Sequence, residues 1–449
     1  MPLYCLLGVL VYNCELMKQR VSFYTFGCRL NQSETASIQN SFGAHERYQV
    51  VDTLDTSDIV VINTCTVTRS CDVDTRHLVY KVNRCNPSAR IALVGCQAQI
   101  QKEQLAALPN VRWIVGNGRK MDLVAVLDEY PDPKTSQVIT PAIGREAFRL
   151  PAASQDRDHT RANIKIQDGC DFFCSFCEIP YARGRARSRV FEDIMVETRS
   201  LIAAGHKELI LTGINIGTYA NQDKTLVDVI AALEAIKGLE RIRISSIEPT
   251  TIGGEILDFM RAGHKLCRFL HIPLQSGDDE ILQAMERQYT TDAFSDFVRQ
   301  ADASVPQICI GTDVMVGFPG ESDKHFDNTV EFLKELPVHY LHVFSYSPRQ
   351  VAHSRRMPAV STQLVHQRST ILRDLSQRKR RLFHESLLGS DQLVLFEKQR
   401  GDGWQNGLTD NYVRVKVKAP VDLFNQIVPV RLQRIDGQVV EGELSCVSP

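Results

Sequence analysis

A three-part α/β protein is predicted by three observations: two long stretches in which short apolar strands alternate with helical patterns, a proline-rich gap between them, and a last stretch with apolar residues at every second position. Strands alternating with helices build parallel sheets, whereas period-two runs separated by glycines build antiparallel ones. In residues 17–130 the runs "VSFYTF", "DIVVINT", "RIALVG" and "VRWIV" are each followed by a polar stretch with apolar residues at helical spacing, which predicts an open parallel sheet under helices. Residues 131–160 carry Pro131, Pro133, Pro141 and Pro151 with little periodicity and read as a linker. In residues 161–384, "ANIKIQ", "KELILTG", "RIRISS", "RFLHIPL", "ICIGTDVMVG" and "LHVFSYS" are six strand candidates separated by helical stretches. They predict a partial (β/α)6 barrel, closed by the basic helix "QRSTILRDLSQRKRRLFHE". In residues 385–449, "YVRVKVKA" and "IVPVRLQRI" predict a small antiparallel β-barrel.

The 449 residues carry 52 basic and 53 acidic groups, so a nucleic-acid partner has to be met by a local basic surface. Residues 351–384 are the place to look, with eight Arg/Lys against the single acid Asp374. Thirteen cysteines without a secretory leader argue for metal or cluster use in a reducing compartment, the cytoplasm, rather than for disulfides. The opening "MPLYCLLGVLVYNCEL" has no basic flank and is too short to span a bilayer, so no membrane partner is expected. Met17 is the expected start, with residues 1–16 an unstructured or misassigned extension.

Cys28, Cys65 and Cys96 each lie just past the carboxyl end of a different predicted strand. In an open parallel sheet those ends gather on one edge, where ligands bind. Three converging thiolates suit an iron-sulfur cluster with one open iron better than structural zinc, which takes four ligands. The alternative is that they are ordinary buried cysteines. Cys5, Cys14, Cys71, Cys85, Cys267, Cys309 and Cys446 share no spacing and read as structural, although Cys71 lies one or two helical turns beyond Cys65.

Cys170, Cys174 and Cys177 form C-x3-C-x2-C directly after the first barrel strand, with no fourth Cys or His nearby. Three thiolates on one loop can hold three corners of a cubane and leave an iron for substrate; a zinc loop with a distant fourth ligand is the alternative. Other strand ends supply polar groups suited to a nucleotide: Gly213 and Asn215, then Ser245, Ser246 and Glu248, then Gln275 and Ser276, then Gly317, Gly320 and Glu321. Each could equally be a simple chain reversal.

These segments, together with "FYTFGCRLNQSET", "NTCTVT", "LVGCQAQ", "QDGCDFFCSFCEIPYARGRARSR", "HIPLQSGDDEILQAMERQYT" and "VGFPGESDKHF", resemble the radical S-adenosylmethionine (SAM) methylthiotransferases over residues 21 to 447. Phe176 also fits that superfamily's aromatic before the third cysteine. "CTVT" and "PYARGRARSR" resemble the branch acting on tRNA threonylcarbamoyladenosine. The resemblance implies an amino-terminal cluster domain, a radical SAM barrel and a carboxy-terminal TRAM barrel. It also implies two 4Fe-4S clusters, held by Cys28, Cys65, Cys96 and by Cys170, Cys174, Cys177. One SAM would supply the methyl group and a second a 5'-deoxyadenosyl radical that takes hydrogen from C2 of adenine. A tRNA substrate, a one-electron donor and a sulfur source of unknown identity follow. Rival readings are a methylthiotransferase for isopentenyladenosine or a ribosomal-protein aspartate, and a non-enzymatic zinc or iron-sulfur RNA-binding protein.

Arg183, Arg185, Arg187 and Arg189 alternate, so an extended segment would put all four on one face, for RNA or the nucleotide carboxylate. Solvated or locally paired arginines are the alternative. The run Arg368 to Arg381 could track RNA backbone or simply be solvated. The last barrel holds seven basic and nine acidic groups, so its expected grip on RNA rests on the resemblance. Glu178, where the family has an apolar residue, and "RQVAHSRRMP" depart from the pattern.

Overall fold

The computed structural model describes residues 18–150, 160–261, 264–398 and 403–445. The expectations for residues 1–16, Met17, Pro151 and Cys446 lie outside the described residues.

The first part is a six-stranded parallel sheet built from β1 (Gln19–Thr25), β2 (Tyr48–Val50), β3 (Ile59–Thr64), β4 (Arg90–Gly95), β5 (Val111–Val115) and β6 (Gln137–Ile139). Their spatial order is β2-β1-β3-β4-β5-β6. Strand β3 is buried at every position, as expected of an Ile/Val run covered on both faces. Ile38 and Phe42 of helix α1 (Arg29–Gly43) pack with Val21, Val61 and Trp113 on one face. Val79 and Val82 of α2 (Arg69–Cys85) pack with Val60, Ile62 and Leu93 on the other. β6 falls in the stretch read as a linker, which is a correction: three residues are too few to show a period, and the strand exists because β5 offers it an edge.

The second part has six parallel strands in chain order. Arg161–Lys165, Glu208–Thr212 and Arg241–Ile244 form one arc, and Phe269–His271, Cys309–Val316 and Tyr340–Ser345 form another. A bridge between Ile242 and Leu266 joins the arcs, and one apolar core including Leu211, Ile244, Leu270, Ile310 and Val314 fills them. The helix Thr362–Leu387 lies along the sixth strand, where the Ser376 hydroxyl exchanges hydrogen bonds with Leu341.

The third part is a closed five-stranded barrel over Asp391–Leu444. It is antiparallel except where Val415 pairs with Val440 in parallel, so the all-antiparallel expectation needs that amendment. "RIRI" explains how this barrel is seated: Arg241 donates to the carbonyls of Leu393 and Leu408, and Arg243 donates to those of Thr409 and Asp410 and pairs with Glu208. No helix among the described residues is long and apolar enough to cross a membrane.

The first part is locked to the second by buried charge. Glu34 on α1, with no exposed surface, meets Lys120 beyond β5, Lys165 of the first barrel strand (2.7 Å) and Arg183 (3.0 Å). Lys165 and Arg183 also reach Asp168 at 2.7 and 3.0 Å. Burial by itself would raise both carboxyls, but the surrounding cations outweigh it and hold Glu34 and Asp168 below the usual carboxylate range. Their contribution to stability is therefore complete above the unfolded value of about 4 and is lost as pH falls below it toward the folded values. In urea titrations, stability should decline below about pH 4 with loss of contact between the first two parts. Glu34→Gln, which leaves three buried cations one carboxylate short, should cost about 3–5 kcal/mol at neutral pH.

Candidate active site

Each cysteine of the first triplet lies just beyond a strand, Cys28 and Cys65 in loops and Cys96 as the first residue of the helix Cys96–Ile100, and the strands concerned, β1, β3 and β4, are neighbours in the sheet. Cys28 is exposed at the start of α1, while Cys65 and Cys96 are buried. Gly27 has φ +96°, and a Cβ there would lie 2.7 Å from Cys65 Sγ, so the turn carrying Cys28 closes over Cys65 only with glycine. The Asn31 amide holds the frame by donating to the carbonyls of Phe26 and Thr64. Cys71, read as structural, lies beside Cys65. Their hydrogen bond lowers Cys71 to about 6 and raises Cys65. The cause is α2: Thr68 caps its first turn and turns Cys71 back toward the strand end.

The second triplet lies on a loop pinned at several points. The Cys170 N–H donates to the Gly184 carbonyl, Ser175 donates to Met285 and Ala284, and the Ile179 N–H donates to Cys177 Sγ at 3.4 Å. Arg287 donates to Cys174 Sγ at 3.2 Å and is held by Glu248 and Tyr289. Burial pushes the Cys170 thiol up to about 11 and Cys177 to about 12, so an apolar shell keeps them neutral until a bound cation compensates the thiolates. Three soft donors on one loop, a guanidinium on one sulfur and an adjoining cavity fit a cluster with an open corner.

Direct bonds bring the two triplets together, a relation that spacing could not reveal. Thr66, next to Cys65, donates to Glu178, next to Cys177, at 2.7 Å. The Asn117 amide contacts Cys96 Sγ at 3.5 Å and the Ala182 carbonyl at 2.8 Å. Arg349 binds Glu178 (3.1 Å), Asp72 (3.0 Å) and Thr66 (2.8 Å), and the Val351 N–H donates to Glu178. The two departures from the family pattern, Glu178 and the segment after the sixth strand, are thus partners of one another.

Two cavities open here and share Asp313. One of about 200 Å³ is lined by Thr66, Phe176, Cys177, Gln275 and Tyr346. The other, about 380 Å³, is lined by Cys28, Gly213, Ser245, His271, His342 and Tyr412. Of the residues expected at a nucleotide, Gly213, Ser245 and Ser246 therefore border the larger cavity and Gln275 the smaller. Glu248 pairs with Arg287 beside Cys174. Asn215 is buried against Gln167 and Thr251, with its amide nitrogen unpartnered. Gly317, at φ +75°, packs on Val365 and donates to Glu321, which pairs with Arg368.

The arginine expectations need correction. Arg183 is fully buried on Glu34, Asp168 and Asn31, which leaves it no fork for a nucleotide. The segment is extended only in its second half, where Arg187–Ser188 pair with Gln167–Asp168; before that a helix Ile179–Arg183, favoured by Pro180 in its first turn, ends at Gly184 with φ +79°. Arg185 lies over the Phe173 ring, Arg187 reaches Asp168, and Arg189 is buried with Asp193 and Glu197. Arg368 is also buried, on Glu321 and Asp323, so the basic run is not one uniform track. Sequence reasoning missed Arg29, His271, Arg287, Asp313, Tyr340, His342 and Tyr412. "RFLHIPL" and "LHVFSYS" placed polar and aromatic residues in core strands, which was the available signal; Tyr412 offered none.

The description "Radical SAM superfamily" matches residues 164–333, and "Uncharacterized protein family UPF0004" matches residues 20–116. The chain is 36% identical to the threonylcarbamoyladenosine tRNA methylthiotransferase MtaB of Aquifex aeolicus, over 88% of this chain and 96% of that one. Identity to the MtaB of Bacillus subtilis is 34%, over 94% and 96%. A tRNA-2-methylthio-N(6)-dimethylallyladenosine synthase of Thermodesulfovibrio yellowstonii is 28% identical over 95% and 99%. The fold is similar to that of TsrM, a radical S-adenosylmethionine methyltransferase from Kitasatospora setae, with TM-score 0.57 and 14% identity over 74% of each chain.

Glu178→Gln keeps the shape of the contact between the triplets but removes a buried charge facing Arg349. Unfolding in urea should show a loss of about 2–3 kcal/mol. In a double-mutant cycle with Arg349→Met the losses should be non-additive, the double variant losing less than the sum of the two; additive losses would show that the two side chains act independently.

Proposed function

Since the chain belongs to the MtaB-type tRNA methylthiotransferases of the radical SAM superfamily, we propose that it converts threonylcarbamoyladenosine in tRNA to its 2-methylthio derivative. The observation that carries this reading is the joining of two three-cysteine sites, through Thr66–Glu178 and Asn117, beside an aromatic-walled cavity. A single radical cluster would suffice for hydrogen abstraction; a second on the adjoining cavity suits sulfur insertion.

Cys170, Cys174 and Cys177 would hold one 4Fe-4S cluster and Cys28, Cys65 and Cys96 the other, and with SAM these groups supply the radical, the methyl and the sulfur chemistry that side chains lack. The remaining work falls to the chain's own residues. Arg287 fixes Cys174 and places positive charge beside the first site. Phe176 and Gln275 line the smaller cavity, next to Cys177, and suit the nucleoside part of SAM. Phe269, His271, Tyr340 and Tyr412 wall the larger cavity and suit an adenine turned out of the anticodon loop. Tyr412 also lines two further cavities bearing Arg380 and Arg414, a path for the RNA backbone on the seam of the second and third parts. A separate one-electron donor is required, and unpaired cysteines and a tRNA substrate fit a reducing cytoplasm.

Purified without oxygen, the protein should hold about eight irons per chain; a colourless zinc protein would contradict the reading. Mass spectrometry of tRNA nucleosides from a deletion strain should show loss of the methylthio form of threonylcarbamoyladenosine. Its persistence, with loss of methylthio-isopentenyladenosine instead, would favour the other tRNA branch. Cys174→Ala should abolish both SAM cleavage and product. Cys65→Ala should leave uncoupled cleavage while removing methylthiolation, and equal loss of both would argue against separate roles.

A further inference from the structure

We propose that Arg29, oriented by Tyr412, binds the carboxylate of the substrate's threonyl group and thereby selects threonylcarbamoyladenosine over adenosines with uncharged substituents; this rests on the function proposed above.

The larger cavity has an aromatic wall. The Phe269 and Tyr412 rings stack at 4.3 Å, and His271 lies 5.8 Å from Tyr340 and 4.9 Å from His342. Such a wall accepts a planar base. Although His271, Asp313 and His342 group closely enough to suggest a cation site, His271 engages Tyr340 with Nδ1 and Asp313 with Nε2, so the trio is already closed on itself.

At the same cavity sit Cys28 and Arg29. Arg29 is half-buried and donates to the Tyr412 hydroxyl at 2.9 Å, and among the described residues it has no carboxylate partner. The buried arginines Arg183, Arg189, Arg243, Arg287, Arg349 and Arg368 each pair with an Asp or Glu, whereas Arg29, like the half-buried Arg112 and Arg380, has none, and of these three Arg29 alone lines the larger cavity. The first turn of α1, which Arg29 opens, contains no acidic residue. A guanidinium left unneutralised on a cavity is a receptor for an anionic ligand.

Tyr412 supplies an independent observation. Its φ is +68°, a conformation that bulky residues rarely adopt. The turn is held there by the Thr409 hydroxyl, which accepts from the Val413 N–H and contacts Asn411 at 2.6 Å. Strain maintained at a cavity marks a positioned side chain. Here it brings the third part of the chain to bear on a residue of the first.

The substrate's chemistry matches this arrangement. C6, which carries the modified N6, and C2 flank N1 of the adenine ring, so a threonyl carboxylate folded over N1 lies on the same edge as C2. Cys28 and Arg29, adjacent in the chain, both line the cavity proposed for that base. An isopentenyl group carries no charge, and would leave the guanidinium desolvated without a partner.

The test uses the enzyme with both clusters loaded and anticodon stem-loop RNAs that differ only at the target nucleoside: threonylcarbamoyladenosine, its neutral threonine-amide analogue, and isopentenyladenosine. The unaltered enzyme should prefer the carboxylate over the amide in kcat/KM by about ten- to a hundredfold. Arg29→Gln should erase that preference, Arg29→Lys should restore part of it, and Tyr412→Phe should reduce it by about two- to tenfold. Equal turnover of carboxylate and amide by the unaltered enzyme would overturn the proposal without any mutation. A fall by the same factor on all RNAs with Arg29→Gln would also overturn it, and assign Arg29 to a backbone phosphate or to the fold. Turnover of the isopentenyl RNA alone would instead overturn the proposed function.

Discussion

A carboxylate buried without exposed surface cannot be left unpaired, and Glu34 is the constraint on which the arrangement of this protein depends. Its three cations come from separate places: Lys120 from beyond β5, Lys165 from the first barrel strand, and Arg183 from the end of the cysteine loop. Satisfying one charge therefore sets the sheet edge carrying Cys28, Cys65 and Cys96 against the loop carrying Cys170, Cys174 and Cys177. Asp168, immediately before that loop, offsets part of the surplus positive charge by accepting from Lys165, Arg183 and Arg187.

A second buried set repeats the device on the other side of the cysteines. Glu178 and Asp72 hold Arg349 between the loop, α2 and the segment after the sixth strand. A third set, Arg241, Arg243 and Arg268, seats the last barrel through its carbonyls and Asp410. Three interfaces made of hydrogen-bonded charge give fixed relative positions that apolar contact alone would specify less sharply. The larger cavity, walled by residues from all three parts, exists only because those positions are fixed.

Much of this was legible from periodicity and motif. Four strands of the first sheet, all six of the barrel and the basic helix stand where their apolar runs placed them, because each run is long enough to show its period. The edge strand β6 was hidden in a proline-rich stretch, since three residues paired on one side carry no repeat. The alternating arginines misled for a related reason. Period two describes a strand, which forms only at Arg187–Ser188; before it Pro180 and Gly184 make a helical turn and a reversal, and the buried carboxylates then draw the guanidinium groups in different directions. Glu178 looked like a blemish in the loop because its partner Arg349 lies 171 residues away.

The amino-acid sequence by itself determined the order of the three parts, the positions of both cysteine triplets at strand ends and the family to which the chain belongs. All of these are local: a period, a spacing of a few residues, a turn after a strand. Only the tertiary structure decided that the triplets adjoin, that Arg183 is a structural tie rather than a ligand-binding group, and that Arg29 meets Tyr412 across 383 positions of chain. Charge pairing and cavity walls depend on which distant groups share a low-dielectric interior, and no local pattern encodes that.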